Sequence, residues 1–175
     1  MSGRLTRGGF HADLRASDVR VQMPLLDRLL DDAPQESRDP PLVPGQAHVA
    51  LEDAVRRDLE ALLNARRPWR SLPAGYAALR RSPLGYGLSD FAAGAFNAVE
   101  RREQLRAEVK ASIETFERRL VQVQVVLLDS GRPEAMLRLH IRAQLDGEPA
   151  PEPIGFDTLL HVASADMEVR QSHDV

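Results

Sequence analysis

At Leu120 the hydrophobic period of the chain changes from 3.6 to 2, and that switch limits the possible folds more than any other feature. Before it, Leu51, Val55, Leu59, Leu62 and Leu63 recur at the 4-4-3 spacing of an amphipathic helix, with Glu52, Asp53, Arg56, Arg57 and Glu60 on the opposite side. Leu105, Val109, Ile113 and Phe116 repeat the stripe, and Asn97 with Glu100 three residues on has the form of a capping box. After the switch, Val121, Val123 and Val125 alternate with Gln122 and Gln124. A turn over 129–133 follows, and then Leu137, Leu139, Ile141 and Ala143 alternate with Arg138, His140, Arg142 and Gln144. Residues 154–162 make a third extended segment, and Met167-Glu168-Val169 predicts a short edge strand. Helices followed by hairpin-linked strands give an α+β fold, with two main helices packed on a small antiparallel β-sheet of three to four strands.

Acidic Glu52 and Asp53 near the start of the first helix and Arg66 and Arg67 near its end suit the macrodipole, and Pro68 stops it. Residues 1–48 lack sustained periodicity and carry Pro34, Pro40, Pro41, Pro44 and Gly45, which predicts an extended N-terminal arm. Within it, Pro24 followed by Leu25, Leu26, Leu29 and Leu30 on one stripe predicts a short docking helix. The expected organisation is an arm over 1–48, an α+β domain over 49–163 and a polar tail over 164–175. Between the helices, Pro68, Pro73, Gly75, Pro83, Gly85, Gly87 and Gly94 mark a long loop in which Trp69, Leu72, Tyr76, Leu79 and Tyr86 can fold back on the core.

A chain of 175 residues has room for one such core, and with aromatics at 5% the core must be aliphatic. The absence of cysteine excludes a disulfide framework, a thiolate metal site and a cysteine nucleophile, and it suits a reducing cytosol. Residues 1–10 lack the apolar run of a secretory leader, and no stretch approaches the roughly 20 apolar residues that span a bilayer, so no membrane insertion is expected. A net charge of -3 gives no footprint for nucleic acid. Charge is nevertheless uneven: residues 56–119 hold 13 basic and 8 acidic side chains, and residues 143–175 hold 1 basic and 7 acidic. Either the acidic tail folds over the helices or an external partner meets one of the two faces.

Residues that point to chemistry are few. Glu117, between Phe116 and the basic pair Arg118 and Arg119, is the best candidate for the acid of a peptidoglycan-cleaving glycosidase. Neighbouring guanidinium groups favour an ionised carboxylate, the opposite of what a general acid needs, and neither Glu114 nor Asp129 is marked as a second carboxylate. The histidines His11, His48, His140, His161 and His173 have no metal-ligand spacing, and no serine sits in a nucleophile elbow. No cofactor and no metal are expected. Gly85-Tyr86-Gly87-Leu88-Ser89-Asp90 lacks the lysine of a phosphate loop and reads as a turn into a helical segment, with Ser89 or Asp90 capping it and Phe91 anchoring it.

Five blocks carry a resemblance: Leu25-Leu26-Asp27-Arg28-Leu29, Val55-Arg56-Arg57-Asp58-Leu59-Glu60-Ala61-Leu62-Leu63-Asn64-Ala65-Arg66-Arg67, Tyr86-Gly87-Leu88-Ser89-Asp90-Phe91, Phe116-Glu117-Arg118-Arg119-Leu120 and Phe156-Asp157-Thr158. Their order resembles that in TssE, the type VI secretion baseplate subunits of the phage tail baseplate lysozyme-like family. The resemblance implies a small α+β sheath initiator of a contractile baseplate, cytoplasmic and placed in a membrane-docked assembly, without need of hydrolase activity. It implies wedge partners TssF and TssG, with TssK in the larger complex, and the sheath proteins TssB and TssC. The family's E-P-R motif falls on Glu117, Arg118 and Arg119, with Arg118 in place of the proline. The implied sheath-facing hairpin carries Val121, Val123, Val125, Leu137, Leu139 and Ile141, and the implied loop contacts are Tyr86, Asp90 and Phe91. The equivalent component of a contractile phage tail is the nearest alternative role. Independently of the resemblance, a hairpin with one apolar face must be covered by the helices on that face, which leaves an outer edge for β-augmentation.

Overall fold

The structure, a computed structural model, describes residues 44–67, 75–89, 98–128, 136–146 and 150–172, together with Leu29 and Gln35. Helix α1 spans Pro44–Asn64, α2 is the single turn Ala77–Arg80 and α3 spans Val99–Phe116. Strands β1 (Leu120–Leu128), β2 (Met136–Leu145), β3 (Glu152–His161) and β4 (Met167–Ser172) form one antiparallel sheet in the order β1-β2-β3-β4. The α+β architecture read from the change of period is the one observed.

Both long helices lie on one face of the sheet, α3 against β1 and α1 against β4, and they touch each other. On α1 the buried stripe is Leu51, Ala54, Val55, Leu59, Leu62 and Leu63, and on α3 it is Leu105, Val109, Ser112 and Ile113. The sheet answers with Leu137, Leu139 and Ile141 from β2, Ile154, Phe156 and Leu160 from β3, and Met167 and Val169 from β4. Phe156 is fully buried, and the side chains around it are aliphatic. Each fully buried Leu, Ile or Val contributes about 1.5–3 kcal/mol relative to an exposed one, so the two stripes are what hold helices to sheet.

Several local expectations need correction. Helix α1 begins at Pro44, inside the segment expected to be an arm, because proline at the first helical position gives up an N–H that has no partner there anyway. It ends at Asn64 with no acidic residue in its first turn and no basic residue in its last, so the expected macrodipole match is absent. Arg66 and Arg67 belong instead to an extended segment that pairs with Leu88: the Arg67 N–H donates to the Leu88 carbonyl at 2.8 Å and the Leu88 N–H to the Ala65 carbonyl at 2.9 Å. The N-cap of α3 is Ala98, which offers no side-chain cap, and Asn97 lies outside the described residues.

Strict alternation in β1 also fails. Its register moves from Val121 opposite Gln144 to Gln124 opposite Arg142, so Gln122 and Val123 together face Ala143 in a β-bulge, with Gln122 at φ 55°. The extra residue reverses the faces. Val123 and Val125 point inward with Leu120, whereas Val121 falls on the outer face with Gln144. The expected edge strand at 167–169 runs on to Ser172 and buries Met167 and Val169, so this stretch of the acidic tail is folded against α1. Of the expected docking helix, Leu29 is helical and exposed, and Leu25, Leu26 and Leu30 lie outside the described residues, as do Trp69, Leu72 and the turn over 129–133.

Candidate functional site

The passage from α3 to β1 is a hydrogen-bonded turn. The Glu117 N–H donates back to the Ile113 carbonyl at 2.8 Å, and the Leu120 N–H donates to the Glu117 carbonyl at 3.2 Å, which places Arg118 and Arg119 at the two central turn positions. Glu117 is buried although ionisable, and Arg119 occupies both of its carboxylate oxygens: the Arg119 backbone N–H and Nε reach Oε1 at 3.1 and 2.7 Å, and Nη2 reaches Oε2. The same Nη2 donates to Asp58 Oδ2 of α1 at 2.6 Å. One guanidinium thus ties the exit of α3 to the middle of α1. Partial burial works against its charge, but the hydrogen bonds and charges of Glu117 and Asp58 outweigh this and hold the Arg119 pKa above its ordinary value. Arg118 is exposed and makes no hydrogen bond or ion pair among the described residues.

The loop between the helices closes over this junction. Tyr86 stacks edge-on against Phe116, with ring centroids 5.3 Å apart, and its hydroxyl pKa is raised by burial and then by the charges of Asp58 and Glu117. Gly87 has φ +93°, and a Cβ there would lie 2.3 Å from the Ala65 carbonyl oxygen, so only glycine lets the loop approach the end of α1 this closely. Leu88 then enters the core fully buried. A second clamp secures the same loop to α3. Glu108 Oε1 accepts from Arg67 Nη2 at 2.5 Å, from the Ser89 N–H at 2.7 Å and from Ser89 Oγ at 2.6 Å. Ser89 is therefore engaged by α3 through Glu108, and no bond to a following helix is seen among the described residues.

The two edges of the sheet differ. At β4 the Asn64 carboxamide behaves as a neighbouring peptide unit: Nδ2 donates to the Met167 carbonyl and Oδ1 accepts from the Met167 N–H, both at 2.8 Å. Arg66 also donates to the Ala165 carbonyl just before the strand. The end of α1 thereby occupies the first rung of that edge. β1, by contrast, pairs only with β2 among the described residues, and exposed Gln124, Val126 and Leu128 stand along its outer face beyond the bulge.

A family model for baseplate wedge protein gp25 matches residues 49–150, more than half of the chain. The chain belongs to this family. No curated protein and no solved structure matches the chain. The family is the one that contains TssE in type VI secretion, so the resemblance read from the five blocks is borne out, and with it a structural role in a phage-tail-like or type VI baseplate.

The long family block now has a physical content, residue by residue. Asp58 holds Arg119, Leu59, Leu62 and Leu63 fill the core, Asn64 closes the β4 edge, and Arg66 and Arg67 bind Ala165 and Glu108. Sequence reasoning missed Asp58, Asn64 and Glu108, because each acts through a partner 41 or more residues away, Ser89 apart, and no local pattern announces such a contact. Of the expected hairpin residues, Val123, Val125, Leu137, Leu139 and Ile141 are buried under the helices and Val121 is half-buried on the outer face. Asp90 and Phe91 lie outside the described residues. His140, which alternates with the apolar residues of its strand, is nevertheless buried and meets Asp157 Oδ1 through Nδ1 at 2.8 Å. No group of three or more metal-binding side chains occurs among the described residues, and no helix there is long and apolar enough to cross a membrane.

Proposed function

We propose that the protein is a non-enzymatic structural subunit of a type VI secretion baseplate, acting in the cytoplasm on a membrane-docked assembly. The Glu117–Arg119 turn and the Tyr86 loop hold it to the wedge proteins TssF and TssG, with TssK in the larger complex, and the β1–β2 hairpin starts the TssB–TssC sheath. The observation that carries this reading is the inequality of the sheet edges beside a clamped junction: Asn64 occupies the first rung of β4 at Met167, and β1 has no neighbour other than β2 from Gln124 to Leu128 among the described residues. A partner strand added there gains a net ~0.5–1.5 kcal/mol for each backbone hydrogen bond. The buried valines and leucines of the hairpin serve by shaping that edge rather than by touching the sheath.

The non-enzymatic reading is supported by the state of Glu117. Both of its carboxylate oxygens are taken by Arg119, and Asp58, the nearest second carboxylate in the same cavity, shares that guanidinium. The Arg119 guanidinium thus lies between the two carboxylates, where two glycosidase carboxylates would have to hold the scissile bond.

The deciding experiment is co-purification of the tagged full chain with coexpressed TssF, TssG and sheath subunits, wild type against Glu117→Ala at one salt concentration. A wedge complex formed by wild type and lost in the variant supports the junction as the contact. No association by a folded wild-type protein, or muramidase turnover abolished by Glu117→Gln, would overturn the reading.

A further inference from the structure

Two cavities of about 310 and 340 Å³ flank the ring of Phe116, which forms a wall of both. The first lies over Leu62 and Tyr86 beside the Glu117–Arg119 turn, and the second lies over Gly85 and Ala111, between Arg67 and Arg80. Their carboxylates are already engaged from within: Asp58 and Glu117 by Arg119, Glu108 by Arg67 and Ser89. Their cations are not all balanced. The side chains of Arg118 at the first cavity and Arg80 at the second are exposed and make no hydrogen bond or ion pair among the described residues.

We propose that this double cavity seats an extended acidic segment of another baseplate protein, its carboxylates paired with Arg118 and Arg80 and an apolar side chain between them against Phe116 and Tyr86. The inference rests on the baseplate role proposed above and names the chemistry of the partner's contact. A guanidinium presents a planar fork of donors that matches a carboxylate, which gives the pairing its geometry. Tyr86 with arginine is the composition of interface anchors. A basic segment would meet two uncompensated positive charges. Among the described residues, two unpaired guanidinium groups beside three occupied carboxylates receive single carboxylates, whereas a polyanion such as nucleic acid needs a longer run of phosphate contacts.

The test uses the full chain in its assembly. A photo-reactive phenylalanine analogue in place of Ala111, which is exposed at the second cavity, is irradiated in the assembled baseplate and the captured segment is sequenced. The expected capture is a segment rich in Asp and Glu. In parallel, Arg80→Glu and Arg118→Glu are each expected to weaken retention on the wedge about tenfold, and the pair about hundredfold, with Arg80→Lys and Arg118→Lys recovering most of it. Capture of a neutral or basic segment, or no capture from an assembly that forms, overturns the proposal. Unchanged retention of the doubly reversed variant does so too. If that variant fails to fold, the identity of the cross-linked segment decides alone. Failure of the wild-type chain to join any baseplate protein would instead defeat the functional reading on which the proposal stands.

Discussion

Replacing Arg118 by proline should make the protein more stable. The Glu117 carbonyl and Leu120 N–H close a four-residue turn at 3.2 Å, so Arg118 holds its second position, where turns of types I and II both have φ near -60°. Proline fixes φ close to that value, and the Arg118 N–H that would be lost makes no hydrogen bond. Glu117 precedes it at φ -105° and ψ 86°, outside the helical region that a following proline disfavours. Nothing in the folded state is given up, and the unfolded chain loses freedom, which stabilises by about 0.4–1 kcal/mol. For a chain of this size that corresponds to a rise of about 1–4 °C in Tm, measured by circular dichroism and checked by urea unfolding. The paired control is Arg119→Pro, which removes the bond to Glu117 Oε1 at the third turn position and should cost about 2 kcal/mol or more. A fall in Tm for Arg118→Pro would refute the turn assignment. The same variant also removes a cation from the double cavity, so a gain in stability accompanied by weaker wedge retention would separate folding from recognition at one position.

Asn64→Ala should cost about 2–4 kcal/mol, since it removes two hydrogen bonds to the backbone of buried Met167, and should raise light scattering at concentrations where wild type stays clear; equal stability and clarity would show that the edge is not closed by this side chain. Gly87→Ala places a Cβ against the Ala65 carbonyl at a positive φ and should cost at least about 2 kcal/mol, read as a lower urea midpoint; a midpoint within error of wild type would refute the close approach. Folding raises the Tyr86 pKa from its ordinary value of 10.0, through burial and then through Asp58 and Glu117. The folded state therefore holds the phenolic proton more tightly than the unfolded one. That stability is complete below pH 10 and declines as pH rises through the folded value, so Tyr86→Phe should flatten the alkaline limb of a stability profile, and an unchanged slope would contradict the placement.

The elements were legible where a period repeats over many residues. The stripes of α1 and α3 and the inward residues of β2 could be written down from spacing alone, because one buried face must recur at the period of its backbone. The bulge could not. Val121, Gln122 and Val123 alternate without a break, and the reversal of faces arises from how β1 meets β2, a matter of pairing rather than composition. The start of α1 was hidden for another reason: Pro44 and Gly45 are turn residues in most settings, yet a proline at the first helical position costs nothing. At the site, Glu117 and Arg119 were visible as a motif and their mutual salt bridge followed from charge. Their third partner, Asp58, lies in another helix, and only the packing of α1 beside α3 delivers it.

The closed rung at Asn64 sets a valence. Sheets polymerise when a strand at one margin of one copy finds the opposite margin of the next, and every copy then offers as many sites as it fills. Here such a chain of copies would first have to pull the Asn64 carboxamide off Met167, while among the described residues the other margin has no neighbour. On the role proposed above, a subunit built this way would take up a foreign strand at β1 at less cost than a strand of its own kind at β4. That is the valence the proposed role requires: a seed that begins growth in something else.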